Sequence, residues 1–114
     1  MRLNDETTSL MSLRVYERAA ELFGLLATPI RLRIISALCQ GERNVTQLLS
    51  QIETAQPNIS QHLNMLYRSG VLTKRRSGAQ VFYRIADDSA VLVCKAVCSQ
   101  IAREMEQDCK VHAG

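Results

Sequence analysis

Tryptophan is absent from the chain, and the other aromatic residues amount to three tyrosines and two phenylalanines. The hydrophobic core must therefore be built mainly from aliphatic side chains. No apolar run approaches the roughly 20 residues that a membrane-crossing helix requires, and the first residues lack the apolar segment of a signal peptide. These absences predict a cytoplasmic protein without membrane contact.

Groups suited to catalysis are also scarce. The two histidines, His62 and His112, have no carboxylate or cysteine pattern near them that suggests a base or a nucleophile. No glycine-rich phosphate loop is present. We therefore expect that the protein is not an enzyme. The four cysteines are not expected to form a permanent disulfide framework in a reducing compartment.

Acidic residues are missing from one long stretch, because none occurs between Glu53 and Asp87. The basic residues in this stretch are Arg68, Lys74, Arg75, Arg76 and Arg84. The net charge of the whole chain is only +3, so this local clustering is more informative than the total. The stretch reads as a polar helix followed by a basic hairpin, which is typical of a surface that binds nucleic acid.

The first half of the acid-free stretch predicts a helix. Pro57 fits the first turn because the N–H that it lacks would be unpaired there, and either Thr54 or Gln56 could cap the start. Gly70 supplies the left-handed residue that ends a helix. Apolar residues recur at helical spacing on one face, at Ile59, Leu63, Leu66 and Tyr67.

The opposite face of this helix carries candidate DNA contacts. Asn and Gln side chains can form paired hydrogen bonds with an adenine edge in the major groove. The candidates for base edges and nearby phosphates are Gln56, Asn58, Ser60, Gln61, His62, Asn64 and Arg68. The plainer alternative is a solvated polar face, and His62 could instead pack between helices with a backbone hydrogen bond.

The second half of the stretch predicts a β-hairpin. Leu72–Arg76 and Gln80–Ile85 flank Ser77-Gly78-Ala79, and the second segment alternates with a period of two. The candidate contacts in this hairpin are Lys74, Arg75, Arg76 and Gln80. Basic residues beside a turn can reach phosphates, which gives affinity with little sequence preference and a strong dependence on salt.

Other helix signals lie on both sides of this stretch. Thr28 and Pro29 predict the cap and first residue of a second helix, and Asn44 with Gln47 resembles the capping box of a third. The first helix is predicted over residues 13–26. A last helix, starting near Asp87, has an apolar stripe that needs a large covering surface. We therefore divide the chain into a flexible arm (1–11), one domain (12–107) and a tail (108–114).

The cysteines are candidate sensing residues. Cys94 and Cys98 are four residues apart, so they share one face of the last helix. Their thiolates could bind a soft metal or metalloid, with Cys109 as a third ligand, or they could be oxidised or persulfidated. Cys39, at the end of the second helix, could meet a cysteine of the last helix. Alternatively, the cysteines are small buried apolar residues.

Two sequence runs carry a family resemblance. The run QPNISQHLNMLYRSGVLTKRRSGAQVFYRI resembles the recognition helix and wing of ArsR/SmtB-type winged-helix repressors, and ATPIRLRIISAL resembles the second helix of that family. The resemblance spans about Leu22 to Ile101 and is closest to the sulfide- and thiol-responsive branch. It implies a mostly α, α+β winged helix-turn-helix fold in the order α-α-α-α-β-β-α.

The resemblance also implies partners. The first and last helices would form a homodimer, and the fourth helix of each subunit would enter the major groove of double-stranded DNA. Because such helices lie about 34 Å apart, a palindromic operator is expected.

The same resemblance narrows the metal sites. Arsenic sensors of the family carry a CxC pair where this chain has Asn44-Val45-Thr46. Zinc sensors use a set of acidic residues and histidines whose matching positions here are Asp87, Ser89, Gln100 and Arg103. Only the aspartate is retained, so that zinc site is not expected. Thiol-switch members pair a cysteine of the second helix with one of the last, which Cys39 with Cys98 or Cys109 fits loosely.

Together these patterns predict a dimeric DNA-binding repressor that is released from its operator when an inducer reacts with or binds to cysteine thiols. No cofactor is required, and a thiolate-bound soft metal or metalloid is one candidate inducer. Two rival interpretations remain. One is a winged-helix DNA-binding protein that senses no ligand, and the other is a protein-interaction domain that pairs its last helix with a different chain.

Overall fold

Five helices and a three-stranded antiparallel sheet make up the fold. The computed structural model describes the backbone of residues 5–113 and the side chains of residues 9–109. In chain order the elements are α1 (Asp5–Leu25), α2 (Pro29–Leu38), β1 (Arg43–Asn44), α3 (Val45–Gln51), α4 (Gln56–Arg68), β2 (Leu72–Ser77), β3 (Gln80–Ile85) and α5 (Asp88–Ala113). This order confirms the predicted winged helix-turn-helix, in which α3 and α4 form the helix-turn-helix and β2 and β3 form the wing. The short strand β1 was not predicted.

The starts of α2 and α3 are capped as the sequence predicts. The Thr28 hydroxyl accepts a hydrogen bond from the backbone N–H of Arg31 at 3.1 Å, and Pro29 occupies the first turn of α2. The Asn44 side chain accepts from the Gln47 N–H, and the Gln47 side chain accepts from the Asn44 N–H, which completes the capping box of α3. These local bonds fix where the two helices begin.

The start of α4 differs from the prediction. Ala55 is the N-cap and makes no side-chain cap bond, so neither Thr54 nor Gln56 caps the helix. The Thr54 hydroxyl accepts instead from the Asn58 side chain at 2.7 Å, and Gln56 is already the first helical residue. The predicted stop is confirmed, because Gly70 follows the helix with φ of +83°.

The sheet has the strand order β1-β3-β2. Ser77 pairs with Gln80, so the hairpin turn contains only Gly78 and Ala79, and Ser77 belongs to β2. Gly78 has φ of +63°, as the first residue of a two-residue II′ turn requires. On the far side of β3, Arg43 pairs with Tyr83 and Asn44 with Phe82, which makes β1 an edge strand.

The core is aliphatic, as the scarcity of aromatic residues predicts. Its fully buried side chains include Ile34 and Ile35 of α2, Leu48 of α3, and Ile59, Leu63 and Leu66 of α4. Burying one such side chain contributes about 1.5–3 kcal/mol. The three helices therefore meet around one cluster, which holds α4 by its apolar face and leaves its polar face outside.

Helices α1 and α5 extend beyond this core and carry apolar side chains that the rest of the chain does not cover. On α5, Ala90 and Cys94 are buried, but Val97, Ile101 and Met105 are exposed. On α1, the exposed apolar residues are Leu10, Met11, Leu13, Val15, Tyr16 and Phe23. Many large exposed apolar side chains on two helices are typical of interaction surfaces.

The predicted limits of the domain need correction at both ends. Helix α1 begins at Asp5, so residues 5–11 of the predicted arm are helical, while residues 1–4 lie outside the described residues. Helix α5 continues to Ala113 and includes most of the predicted tail 108–114. None of the helices within residues 5–113 has the length and apolar character needed to cross a membrane.

Candidate nucleic-acid interface

Helix α4 presents a polar face to solvent. The fully buried Ile59, Leu63 and Leu66 fix the orientation of the helix. The predicted contacts that are exposed on it are Gln56, Asn58, Gln61, Asn64 and Arg68, while Ser60 is half-buried. None of these side chains is acidic, so the surface offers amide donors and acceptors and one cation to a polyanion.

His62 is held differently from the other candidates on α4. It is half-buried, and its Nδ1 accepts a hydrogen bond from Nε of Arg31 at 3.0 Å. Burial, and then the charge of Arg31, lowers the pKa of His62 below its ordinary value. His62 therefore packs between helices, as the alternative interpretation predicted, but its hydrogen-bond partner is the Arg31 side chain rather than the backbone.

The wing places basic side chains beside α4. Lys74 lies over the ring of Tyr67, with Nζ 4.3 Å from the ring centroid, so it is positioned along the C-terminal part of the helix. Arg76 is exposed and pairs in the sheet with Val81, one step from the turn. These two cations can follow a phosphate backbone that passes the end of the wing.

Two other predicted wing contacts already have partners within the chain. Arg75 donates two hydrogen bonds to the carboxylate of Glu42, from Nε at 2.8 Å and from Nη2 at 2.6 Å. The side-chain oxygen of Gln80 accepts from the Asn44 amide at 2.9 Å. Neither partner was predicted, because Asn44 belongs to the unpredicted strand β1 and Glu42 to the loop before it.

Three of the four cysteines lie around one surface cavity of about 320 Å³. The cavity is lined by Ser36, Cys39, Gln40, Cys94, Lys95, Cys98 and Ser99. The sulfurs of Cys94 and Cys98 are 3.9 Å apart, and Cys39 is half-buried at the end of α2. The fold therefore brings together the α2 and α5 cysteines that the sequence singles out.

Cys94 and Cys98 differ in exposure. Cys94 is only 4% exposed, and its sulfur lies 3.8 Å from the carbonyl oxygen of Leu32, whereas Cys98 is open to solvent. Burial is the largest cause that raises the pKa of Cys94 from 9.0 to about 11, followed by its contact with Cys98. Cys94 is thus the less reactive thiol, since the thiolate is the nucleophile and metal ligand.

Cys109 does not join the other cysteines. It lies on α5 eleven residues beyond Cys98, which corresponds to about 16 Å along a helix. The predicted metal set of Cys94, Cys98 and Cys109 is therefore wrong for a single chain. Among the side chains of residues 9–109, no three His, Cys, Asp or Glu residues are grouped closely enough to hold a metal ion.

The comparisons with known proteins agree with this geometry. The family model described as "Bacterial regulatory protein, arsR family" matches residues 28–74, from the cap of α2 into β2. A biofilm growth-associated repressor of Xylella fastidiosa (strain 9a5c) is 34% identical over 109 residues, which cover 92% of this chain and 96% of that protein. The chain belongs to the ArsR family.

Another relative is matched over a shorter segment. The HTH-type transcriptional repressor SmtB of Mycobacterium tuberculosis is 41% identical over 73 residues, or 64% of this chain. The chain spans only 54% of the length of that relative.

Solved structures show the same fold. The AntR antimony-specific transcriptional repressor superposes with a TM-score of 0.74 at 29% identity, covering 81% of this chain and 83% of AntR. The homodimeric winged helix-turn-helix DNA-binding domain of Mb0332 from Mycobacterium bovis superposes with a TM-score of 0.68 at 26% identity, covering 92% and 93% of the two chains. Both similarities confirm the winged helix of this ArsR-family chain.

The side chains at three of the positions that match the zinc site of ArsR-family sensors form hydrogen bonds with nearby residues of α5 or its start. The carboxylate of Asp87 accepts from the backbone N–H of Ser89 at 2.9 Å, near the start of α5. Arg103 donates to the side-chain oxygen of Gln100 at 2.9 Å. A cationic side chain therefore stands among the residues that would have to hold a cation.

Proposed function

We propose that the chain is a dimeric, DNA-binding transcriptional repressor whose DNA contacts are the polar face of α4 and the wing. The observation that carries this proposal is that Gln61, Asn64, Lys74 and Arg76 are all exposed within a stretch of chain that has no acidic residue. Amides on a helix can read base edges, and cations on the wing can hold phosphates. The relatives named as repressors support this function, and their names give no support to an enzyme.

The dimer is proposed to form through α1 and α5. In the single chain, three apolar side chains of α5 are 48–63% exposed: Val97, Ile101 and Met105. A second copy of the chain would bury them. The related Mb0332 domain is homodimeric. A two-fold dimer places two copies of α4 about one turn of DNA apart, so the proposed operator is palindromic.

The inducer is proposed to be a soft metal or metalloid bound by Cys94 and Cys98. For a tetrahedral metal ion such as zinc, two thiolates at about 2.3 Å from the ion are separated by about 3.8 Å, close to the observed 3.9 Å between the two sulfurs. A disulfide would need Cβ atoms about 3.5–4.5 Å apart, whereas residues i and i+4 of a helix keep them about 5–6 Å apart. The pair is therefore better suited to sharing an ion than to forming a bond.

Cys39 is the candidate third ligand. It lines the same cavity as the sulfur pair, and a change of its rotamer is proposed to bring a thiolate from α2 to the ion, because the three cysteines are not grouped closely enough without such a change. The antimony-specific repressor AntR, which has the same fold, supports a metalloid. Binding exchanges thiol protons for sulfur–metalloid bonds, with hydroxide ligands of the metalloid leaving as water.

Such an ion would join α2 to α5, the helix proposed to pair across the dimer. The DNA-binding arrangement is weakened only by as much as the ion prefers a different arrangement of these helices. The ion site would be coupled to DNA binding through α2, because α2 packs against both α5 and α4. A shift of α2 would therefore move the recognition helix α4.

Reactive sulfur is a second candidate inducer, favoured by the exposure of Cys98 and by the cavity that it shares with Cys39. The Cys98 thiolate would attack a sulfane sulfur of a polysulfide, forming a persulfide and releasing a shorter polysulfide. The Cys39 thiolate would then attack the Cys98 sulfur and expel hydrosulfide, which leaves a Cys39–Cys98 disulfide. Cys94 takes no part in this route.

One experiment separates these possibilities. DNA from the chain's own promoter is titrated with protein at two salt concentrations, with antimonite, arsenite, zinc or polysulfide added. A metalloid site predicts release that Cys94→Ser and Cys98→Ser abolish, while Cys109→Ser serves as the matched control. A polysulfide route predicts that Cys94→Ser responds normally and that Cys39→Ser does not. If induction in cells stays normal after all four cysteines are changed to serine, the protein does not sense its inducer through thiols.

A further inference from the structure

Arg75 is held by an acidic residue that the fold brings to the wing. Its guanidinium donates in parallel to both oxygens of Glu42, which lies 33 residues earlier in the chain. This is the only ion pair formed among the side chains of residues 9–109. Phosphate presents oxygens to an arginine in the same two-pronged way as a carboxylate does. Glu42 therefore engages the same donor atoms of Arg75 that a phosphate would need.

The alternation of β2 separates Arg75 from the other wing cations. Lys74 faces Tyr67 of α4, whereas Arg75 pairs with Phe82 and its guanidinium carbon lies 4.9 Å from the Phe82 ring centroid. The side chain is thus turned toward the face of the sheet that carries Glu42. It is also more than half exposed, at 57%, so it can exchange partners without unfolding the strand.

The electrostatics favour an exchangeable contact. The hydrogen bonds from Arg75 lower the pKa of Glu42, and the charges of Arg75 and Arg84 act in the same direction. The carboxylate therefore stays ionised and keeps Arg75 neutralised in the free protein. An exposed ion pair is weak, which allows a phosphate to replace it at a modest loss of affinity.

We propose that Glu42 limits the affinity for DNA by competing with a phosphate for the guanidinium group of Arg75. This inference rests on the proposed DNA-binding function and adds a residue that acts against it. Glu42 does not touch DNA in this account. It sets how many cations of the wing are available to the duplex.

The test compares Glu42→Gln with wild type by fluorescence anisotropy, using a promoter duplex and an unrelated duplex of equal length over a series of salt concentrations. Glu42→Gln is expected to bind both duplexes about two- to fivefold more tightly. The slope of log affinity against log salt is expected to steepen by about 0.9, as one more phosphate contact requires. Asp108→Asn makes the same change in net charge on a distant part of α5 and is expected to change neither quantity.

The double variant distinguishes competition from a general charge effect. In an Arg75→Gln background, Glu42→Gln is expected to give no gain, because its effect passes through Arg75. An equal gain in that background would overturn the proposal. Weaker binding by Glu42→Gln would also overturn it, since Glu42 would then be orienting the wing for DNA. If wild type binds neither duplex at low salt, the proposed DNA-binding function is refuted. If wild type binds but Glu42→Gln does not bind more tightly than wild type, only the proposed competition is refuted.

Discussion

Arg31 of α2 is hydrogen-bonded to His62 of α4, with Nε donating to Nδ1 at 3.0 Å. The same guanidinium donates from Nη1 to the carbonyl oxygen of Leu25 at 3.2 Å, at the end of α1. One side chain of α2 therefore joins the helix proposed for dimerisation to the helix proposed to read DNA. A displacement of the end of α1 relative to α4 would therefore strain the contacts of Arg31.

Acid is expected to break this connection. Nδ1 of His62 accepts a hydrogen bond only when the imidazole is neutral and carries its proton on Nε2. The pKa of His62 is lowered in the folded protein from its ordinary 6.5, so folding favours the neutral ring. The resulting stability is present above pH 6.5 and is lost as the pH falls through the lower folded-state pKa. Urea unfolding between pH 7.5 and pH 5 measures this loss.

His62→Gln provides the matched control for the pH prediction. A glutamine oxygen can accept from Arg31 at every pH in this range, so the variant is expected to lose less stability than wild type on acidification. Parallel pH profiles for the two proteins would show that the Arg31–His62 contact contributes nothing.

The cysteines are expected to react in a definite order. A pKa of about 11 for Cys94, against an ordinary 9.0, reduces its thiolate fraction at neutral pH about a hundredfold. Alkylation with iodoacetamide, followed by mass spectrometry of the peptides, should therefore modify the exposed Cys98 long before Cys94. Equal rates for the two thiols in the folded protein would contradict the burial of Cys94.

Replacing glycine by alanine is expected to have opposite effects on the free energy of unfolding at Gly70 and at Gly24. Gly70 has φ of +83°, and no atom lies within 4 Å of a Cβ built on it. Gly70→Ala is therefore expected to lower the free energy of unfolding by about 1–2 kcal/mol through backbone strain alone. Gly24→Ala, in the last turn of α1 and equally free of contacts, is expected to raise the free energy of unfolding by up to about 0.5–1 kcal/mol. Urea unfolding at a fixed protein concentration measures both, and destabilisation by Gly24→Ala would show that a partner covers that position.

A charge in the exposed apolar stripe of α5 is expected to separate the subunits. Ile101→Glu places a carboxylate at a side chain that is 48% exposed in one chain and proposed to be covered in the dimer. Light scattering after gel filtration should give twice the 12.8 kDa chain mass for wild type and the single mass for the variant. Gln100→Glu adds the same charge at a neighbouring polar position and should remain dimeric. A wild-type mass equal to that of one chain would contradict the proposed dimer.

Local sequence patterns predicted most of the fold because they depend on neighbouring residues. The Thr28 cap, the Asn44–Gln47 capping box and the Gly70 stop each involve residues within four positions of one another. Strand β1 was missed because two residues carry no alternation, and only pairing with β3 makes them a strand. Ala55 at the start of α4 offers no side-chain signal at all.

The candidate site was predicted less completely than the fold. The polar face of α4 followed from helical periodicity, and its exposure agrees with that pattern. The partners of Arg75 and His62 lie 33 and 31 residues away in sequence, where no local pattern points to them. The meeting of Cys39 with Cys94 and Cys98 depends likewise on how α2 packs against α5. Tertiary contacts of this kind decide which predicted site residues are free.

The most direct test of the proposed DNA-binding surface is a salt titration of DNA binding by wild type, Gln61→Ala and Arg76→Gln, on the promoter duplex and on an unrelated duplex. Gln61→Ala should weaken binding to the promoter alone, by about 1–3 kcal/mol, because it removes a base contact. Arg76→Gln should weaken binding to both duplexes and reduce the salt slope by about 0.9, because it removes a phosphate contact. Wild-type protein that ignores DNA at low salt, or binds it without salt dependence, would contradict the account.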